Sequence, residues 1–164
     1  MDRAEQIIQI INRNPGIRYS EIMRETGLKN GVLSHHLTKI EQSGKILVER
    51  TPRVMRMYPC GMQKEETIII KNLRNKTART IMLNLLDADL SFKEIVSIAK
   101  KSQGTVSLCL KSLSDDGIVE RTVNNRGIVF ALSNKHLVGM LVDRQKPTFI
   151  ENTANNISDI FSSI

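Results

Sequence analysis

Apolar residues recur along this chain at helical spacing, in short runs closed by glycine or proline. Ala4, Ile7, Ile8 and Ile11 predict a first helix that Asn14-Pro15-Gly16 stops. A second helix is expected over about Tyr19 to Thr26. Gly27 supplies its left-handed exit and Leu28 packs back, as a tight turn between crossing helices requires. From about Lys29 to Gln42, Leu33, Leu37 and Ile40 fall at i, i+4 and i+7 and form one apolar stripe, with Gly44 placed to end the helix. The period then changes: Ile46–Arg50 and Val54–Tyr58 read as two short strands around Thr51-Pro52-Arg53.

The same plan returns 73 residues later, where Leu90–Val119 repeats Ile17–Ile46. Glu21/Glu94, Ile22/Ile95, Gly31/Gly104, Ser34/Ser107, Leu37/Leu110 and Gly44/Gly117 are identical, and Leu33/Val106, Ile40/Leu113 and Ile46/Val119 exchange one apolar residue for another. In this second copy Thr80 to Leu86 is the first helix and Ser91-Phe-Lys-Glu94 is a capping box. Gly104 to Asp116 is the third helix. Its hairpin runs through Ile118–Val123, the turn Asn124–Gly127 and Ile128–Leu132.

Three helices and a hairpin make a winged helix-turn-helix. The expected fold is therefore mainly α with small β-hairpin wings: two such units in tandem over 1–62 and 74–133, a linker over 63–73, and a C-terminal helical segment over 134–164. In that last segment Ser133 is the expected cap of a helix through Leu137, Leu141 and Val142, and Pro147 breaks it. Ile157, Ile160, Phe161 and Ile164 then form a stripe that needs a covering surface, either the chain itself or a second subunit.

Charge narrows the choice of partner. The 24 Lys and Arg residues outnumber the 17 Asp and Glu, which gives +7 and a pI near 9.6 and favours a polyanion such as double-stranded DNA. Two cysteines without related spacing, no N-terminal apolar run and no long apolar stretch point to a cytoplasmic, nucleoid-associated protein with no membrane partner.

Gly27-Leu-Lys-Asn-Gly-Val-Leu-Ser-His-His-Leu-Thr-Lys-Ile-Glu-Gln-Ser-Gly44, followed by a hairpin ending Met57-Tyr58-Pro59, resembles the winged helix-turn-helix of ArsR/MarR-like transcriptional regulators. The tandem arrangement is similar to that of archaeal winged-helix proteins. The resemblance covers residues 2–60 well and 74–133 more loosely. Two positions depart from it: Lys100 stands where the first copy has Gly27, and Leu108 where it has His35.

A helix with Leu33, Leu37 and Ile40 turned to the core shows Gly31, Val32, His35, Thr38, Lys39 and Gln42 on its other side. Its N-terminal half would enter a major groove, Asn30, Ser34, His35 and Thr38 against base edges and Lys29 and Lys39 against phosphate. The resemblance carries Ser34, His35 and His36 over as contacts, and Val32 completes the set. Arg50, Arg53 and Arg56 on the first wing would hold the flanking backbone. For the second unit the candidates are Thr105, Ser107, Lys111, Arg121 and Arg126, with Lys71, Arg74, Lys76 and Arg79 just before it.

Three other readings compete. Exposed Leu108 beside Asp115-Asp116 would suit a protein partner, which makes a tandem winged-helix scaffold the alternative; the residues 134–164 offer a route to a homodimer. Metal or thiol sensing through Cys60, Cys109, His35 and His36 is disfavoured: neighbouring helical residues point about 100° apart, and the cysteines sit in different repeats. No cofactor motif and no nucleophile with a base and an orienting acid is legible, so no enzyme, metal or cofactor is expected.

Overall fold

The computed structural model describes residues 1–145, in two compact units, Met1–Thr67 and Ile68–Arg144. The Ile157–Ile164 stripe lies outside the described residues.

In the first unit α1 (Arg3–Arg13) opens on a capping box: Asp2 accepts the Glu5 N–H at 2.8 Å, while the Glu5 carboxylate accepts the Asp2 N–H at 3.3 Å. A two-residue strand β1 (Ile17–Arg18) leads into α2 (Tyr19–Thr26), and α3 spans Asn30–Gln42. Gly27 closes α2 at φ 67°, its N–H donating to the Met23 carbonyl; a Cβ there would meet nothing, so the glycine serves the dihedral angle alone. The wing is β2 (Ile46–Arg50) and β3 (Met55–Pro59). Ile7, Ile11, Ile17, Ile22, Leu33, Leu37, Ile40, Ile46 and Met57 form the core, which is the predicted stripe of α3 seated on α1, α2 and the sheet.

The sheet has three strands in the order β1-β3-β2, so β3 is central and not an edge. Ile17 pairs with Met57 and Val48 with Met57 from the other side; the next row across reads Arg18, Arg56, Glu49.

The linker expected over 63–73 is a helix, α4 (Lys64–Leu73). Ile69, Ile70 and Leu73 are buried, and apolar residues with that spacing hide more surface on one helical face than in an extended strand. In the second unit follow α5 (Lys76–Asp87), α6 (Phe92–Ala99), α7 (Gln103–Asp115), β4 (Val119–Asn124) and β5 (Gly127–Leu132). Val106, Leu110 and Leu113 of α7 are buried, as in the first copy. The repeat register survives into the wing. Leu90 bridges Phe130, 73 residues beyond the Ile17–Met57 pair.

A last helical stretch, residues 135–145, is capped by Asn134 and not by Ser133: the Asn134 side-chain oxygen accepts the Leu137 N–H at 3.1 Å. Val138, Leu141 and Val142 are buried within the chain, so this part of the proposed dimer segment offers them to no second subunit. Among the described residues no helix is long and apolar enough to cross a membrane.

Candidate nucleic-acid interface

The outward side of α3 follows from its inward one. With Leu33, Leu37 and Ile40 buried, Asn30, Val32, Ser34, His35, Thr38 and Lys39 are exposed, and Lys29, the residue before the helix, is exposed too. His36 is half-buried, its ring edge-on to that of His35 with centroids 6.0 Å apart. Each polar group has a defined capacity. The Thr38 hydroxyl donates to the Ser34 carbonyl at 2.9 Å, which leaves Thr38 only lone pairs to offer outward. Asn30 is held from α2: the Tyr19 hydroxyl lies 2.8 Å from its carbonyl oxygen and 2.6 Å from its side-chain oxygen. Lys29, Lys39 and Arg53 are exposed and make no ion pair among the described residues.

The wing arginines divide three ways. Arg53 is free at the tip, on a turn closed by Thr51 and Val54, whose backbone groups pair at 2.9 Å. Arg50 is exposed but engaged: its two terminal nitrogens donate to both carboxylate oxygens of Glu41 on α3, at 2.8 and 2.6 Å. This fork holds the Glu41 carboxyl below the ordinary carboxylate range, against a smaller opposing effect of burial. Arg56, expected on the DNA side, is a correction. It is only 7% exposed and donates to the Gly16 carbonyl at 2.8 Å, because β3 is covered on both flanks by other strands. Burial first, then the charge of Arg18, lowers its pKa from the ordinary guanidinium value. In the repeat its place is taken by Val129, fully buried.

The second unit shows a different surface. Ser102 caps α7 by accepting the Thr105 N–H at 3.2 Å and donates to the Thr105 hydroxyl at 2.9 Å, so Thr105 belongs to the cap. Lys111 pairs with Asp115 at 3.0 Å, and Arg126 of the wing pairs with Glu94, whose other oxygen accepts the Ser91 N–H. Ser107 and Arg121 remain exposed, Arg121 without an ion pair among the described residues. Around them stand apolar side chains: Leu108 on α7 is 72% exposed, and the cross-strand pair Val123 and Ile128 at the wing end are exposed as well. Of the basic residues ahead of this unit, Lys71 lies 4.0 Å from Asp116.

Lys100 occupies the left-handed position of Gly27, with φ 54° and ψ 40°, and its N–H still donates to the Val96 carbonyl. The helix-turn-helix of the second unit is thus intact without glycine. Among the described residues no three His, Cys, Asp or Glu side chains gather as a metal site; Cys60 is exposed, and burial raises the Cys109 thiol pKa. Tyr19 and Glu41 are the residues that sequence reading missed. Their only trace is in the repeat, where Phe92 and Ser114 stand at the same places.

Both units have the winged helix-turn-helix architecture, with the third helix buried on one side and a hairpin beside it. Residues 2–46 match the family model of winged helix-turn-helix DNA-binding domains, and residues 75–121 match that of the bacterial regulatory proteins of the arsR family. The chain is a tandem winged helix-turn-helix protein with the fold of DNA-binding transcription regulators, and its second unit is similar in sequence to the arsR family over residues 75–121.

Comparison with curated proteins gives no match. Among solved structures the chain is similar to HlyU from Vibrio cholerae N16961, at 28% identity over 49% of this chain and 90% of that one, with a TM-score of 0.43. It is also similar to the transcriptional repressor BigR from Xylella fastidiosa, at 23% identity over 47% and 79%, TM-score 0.42. A third is the cadmium metal-sensor CMTR from Mycobacterium tuberculosis, at 25% identity over 46% and 79%, TM-score 0.42.

Proposed function

We propose that the protein is a sequence-specific double-stranded DNA-binding transcriptional regulator that carries out no chemistry of its own. The observation that carries this reading is the exposed side of α3, where Asn30, Ser34, His35, Thr38 and Lys39 project away from a helix anchored by Leu33, Leu37 and Ile40. A major groove admits one helix, and short polar side chains near the N-terminus of that helix reach base edges. Lys29, Lys39 and the wing-tip Arg53 would neutralise phosphates, which sets orientation and affinity but not sequence preference.

The test is a fluorescence anisotropy titration of the full chain with labelled duplexes across a range of salt. Lys39→Ala and Arg53→Ala should weaken binding to every duplex and each reduce the slope of log K against log salt by about 0.9, one phosphate contact. His35→Ala should relax sequence preference with an unchanged slope. Absence of duplex binding at low salt would sink the reading.

The second unit supports a further role as a protein contact, because Leu108, Val123 and Ile128 are exposed there while Lys111 and Arg126 are engaged internally. Should duplex binding be absent and a protein partner depend on Leu108, the scaffold reading replaces the regulator. A homodimer would bind a palindrome with half-sites one or more helical turns apart; sedimentation with and without DNA measures this.

A further inference from the structure

In unit one the recognition helix begins with a residue whose side chain is not free to turn. Asn30 opens α3, and Tyr19, which opens α2, brings its phenol oxygen to 2.6 Å from Asn30 Oδ1 and 2.8 Å from the Asn30 carbonyl oxygen. The shorter contact is within the range of an O–H···O bond and short for an N–H···O bond. The phenol therefore donates to the oxygens of Asn30, which fixes the orientation of the side-chain amide and leaves its nitrogen outside this contact. An asparagine free to rotate reads adenine with its oxygen and nitrogen together. One whose oxygen already accepts from a phenol keeps a single acceptor lone pair, in an orientation the phenol fixes, beside its two N–H donors. The second unit lacks the device, because Phe92 without a hydroxyl stands at the position of Tyr19 and Gln103 at that of Asn30.

We propose that Tyr19 is a specificity-determining positioning residue: by holding the Asn30 oxygen, it leaves the N–H donors as the unengaged edge of the amide, so that Asn30 favours a base pair presenting an acceptor in the major groove. Guanine, with its N7 and O6 acceptors, is the base whose edge fits two donors. Tyr19 itself touches no base. The proposal rests on the DNA-binding reading above.

The experiment is selection of bound duplexes from a randomised double-stranded library, followed by titration of the preferred duplex and its single-base variants with the full-length chain. Wild type should prefer guanine at one position. Tyr19→Phe should lower that discrimination about five- to tenfold, leave binding to a random duplex and its salt dependence unchanged, and shift the preference there toward adenine as the amide regains its second edge. Asn30→Ala should abolish preference at the same position, and Tyr19→Phe added to it should change nothing more. Phenylalanine already occupies the matching place in the second unit, and thermal unfolding verifies the fold of each variant.

If wild type binds with sequence preference but Tyr19→Phe matches it at every position, or if the two substitutions act additively, the positioning role is overturned while DNA binding stands. A chain that binds no duplex overturns both. Independently of DNA, the side-chain amide NMR signals of Asn30 should move on Tyr19→Phe; signals that stay in place remove the hydrogen bond on which the proposal stands.

Discussion

Replacing Lys100 with glycine should stabilise the second unit, although it removes a charge and a side chain. Lys100 is held at φ 54° to close α6, and the left-handed region costs a residue with a Cβ about 1–2 kcal/mol. Glycine escapes this steric cost but loses more backbone freedom on folding, by about 0.5–1 kcal/mol. At the midpoints of these two ranges Lys100→Gly is about 0.75 kcal/mol more stable than Lys100→Ala, the reference that removes the lysine without relieving the angle. In a unit of this size that is about 3–6 °C in Tm.

The reverse change is available in the same molecule. Gly27 sits at φ 67° with open space where its Cβ would be, so Gly27→Ala should destabilise the first unit by about the same amount through the dihedral angle alone. Both tyrosines, Tyr19 and Tyr58, lie in the first unit and there is no tryptophan, so tyrosine fluorescence during urea unfolding follows Gly27→Ala. Amide hydrogen exchange in α6 and α7 follows Lys100→Gly. If Lys100→Gly is no more stable than Lys100→Ala, the left-handed turn is not a strained position and the reasoning fails.

Three more expectations follow from the interface. Arg56→Met should cost less stability than Arg56→Ala, which opens a cavity of about 2–3 kcal/mol, and should leave duplex affinity and its salt slope unchanged; a fall in the slope would return Arg56 to the DNA face. Glu41→Gln should free Arg50 and raise affinity for all duplexes with a steeper salt dependence, read by anisotropy. Because Glu41 has a lowered pKa in the folded chain, its contribution to stability is present above the ordinary carboxylate range and is lost as pH falls through the lowered value; Glu41→Gln should flatten that acid-side loss in pH-dependent unfolding. Iodoacetamide should alkylate exposed Cys60 at least about tenfold faster than half-buried Cys109, whose thiol burial keeps protonated; equal rates by mass spectrometry would contradict this placement.

Helices and turns were legible in the sequence wherever a local rule determines them. The 3.6-residue period of Leu33, Leu37 and Ile40, the glycine after Thr26 and the Ser91/Glu94 capping box each act within one or two turns of chain. The site was legible only as a helix face. Arg56 was misplaced because β1, two residues long, has no period to detect, yet it converts β3 from an edge into a central strand. The run Thr67–Ile70 is too short to separate a helix from an extended linker by periodicity. Tyr19 and Glu41 act across 11 and 9 residues on side chains whose meeting depends on how α2, α3 and the wing close together.

The two hairpins share a register but are not interchangeable parts. Transplanting β4 and β5 onto the first unit would bring Val129 to the place of Arg56, and the Gly16 carbonyl would lose the buried guanidinium that satisfies it. A working chimera must therefore carry the Pro15-Gly16 loop along with the hairpin, and recombination cut at the strand boundaries would yield hybrids with a bare acceptor in the interior.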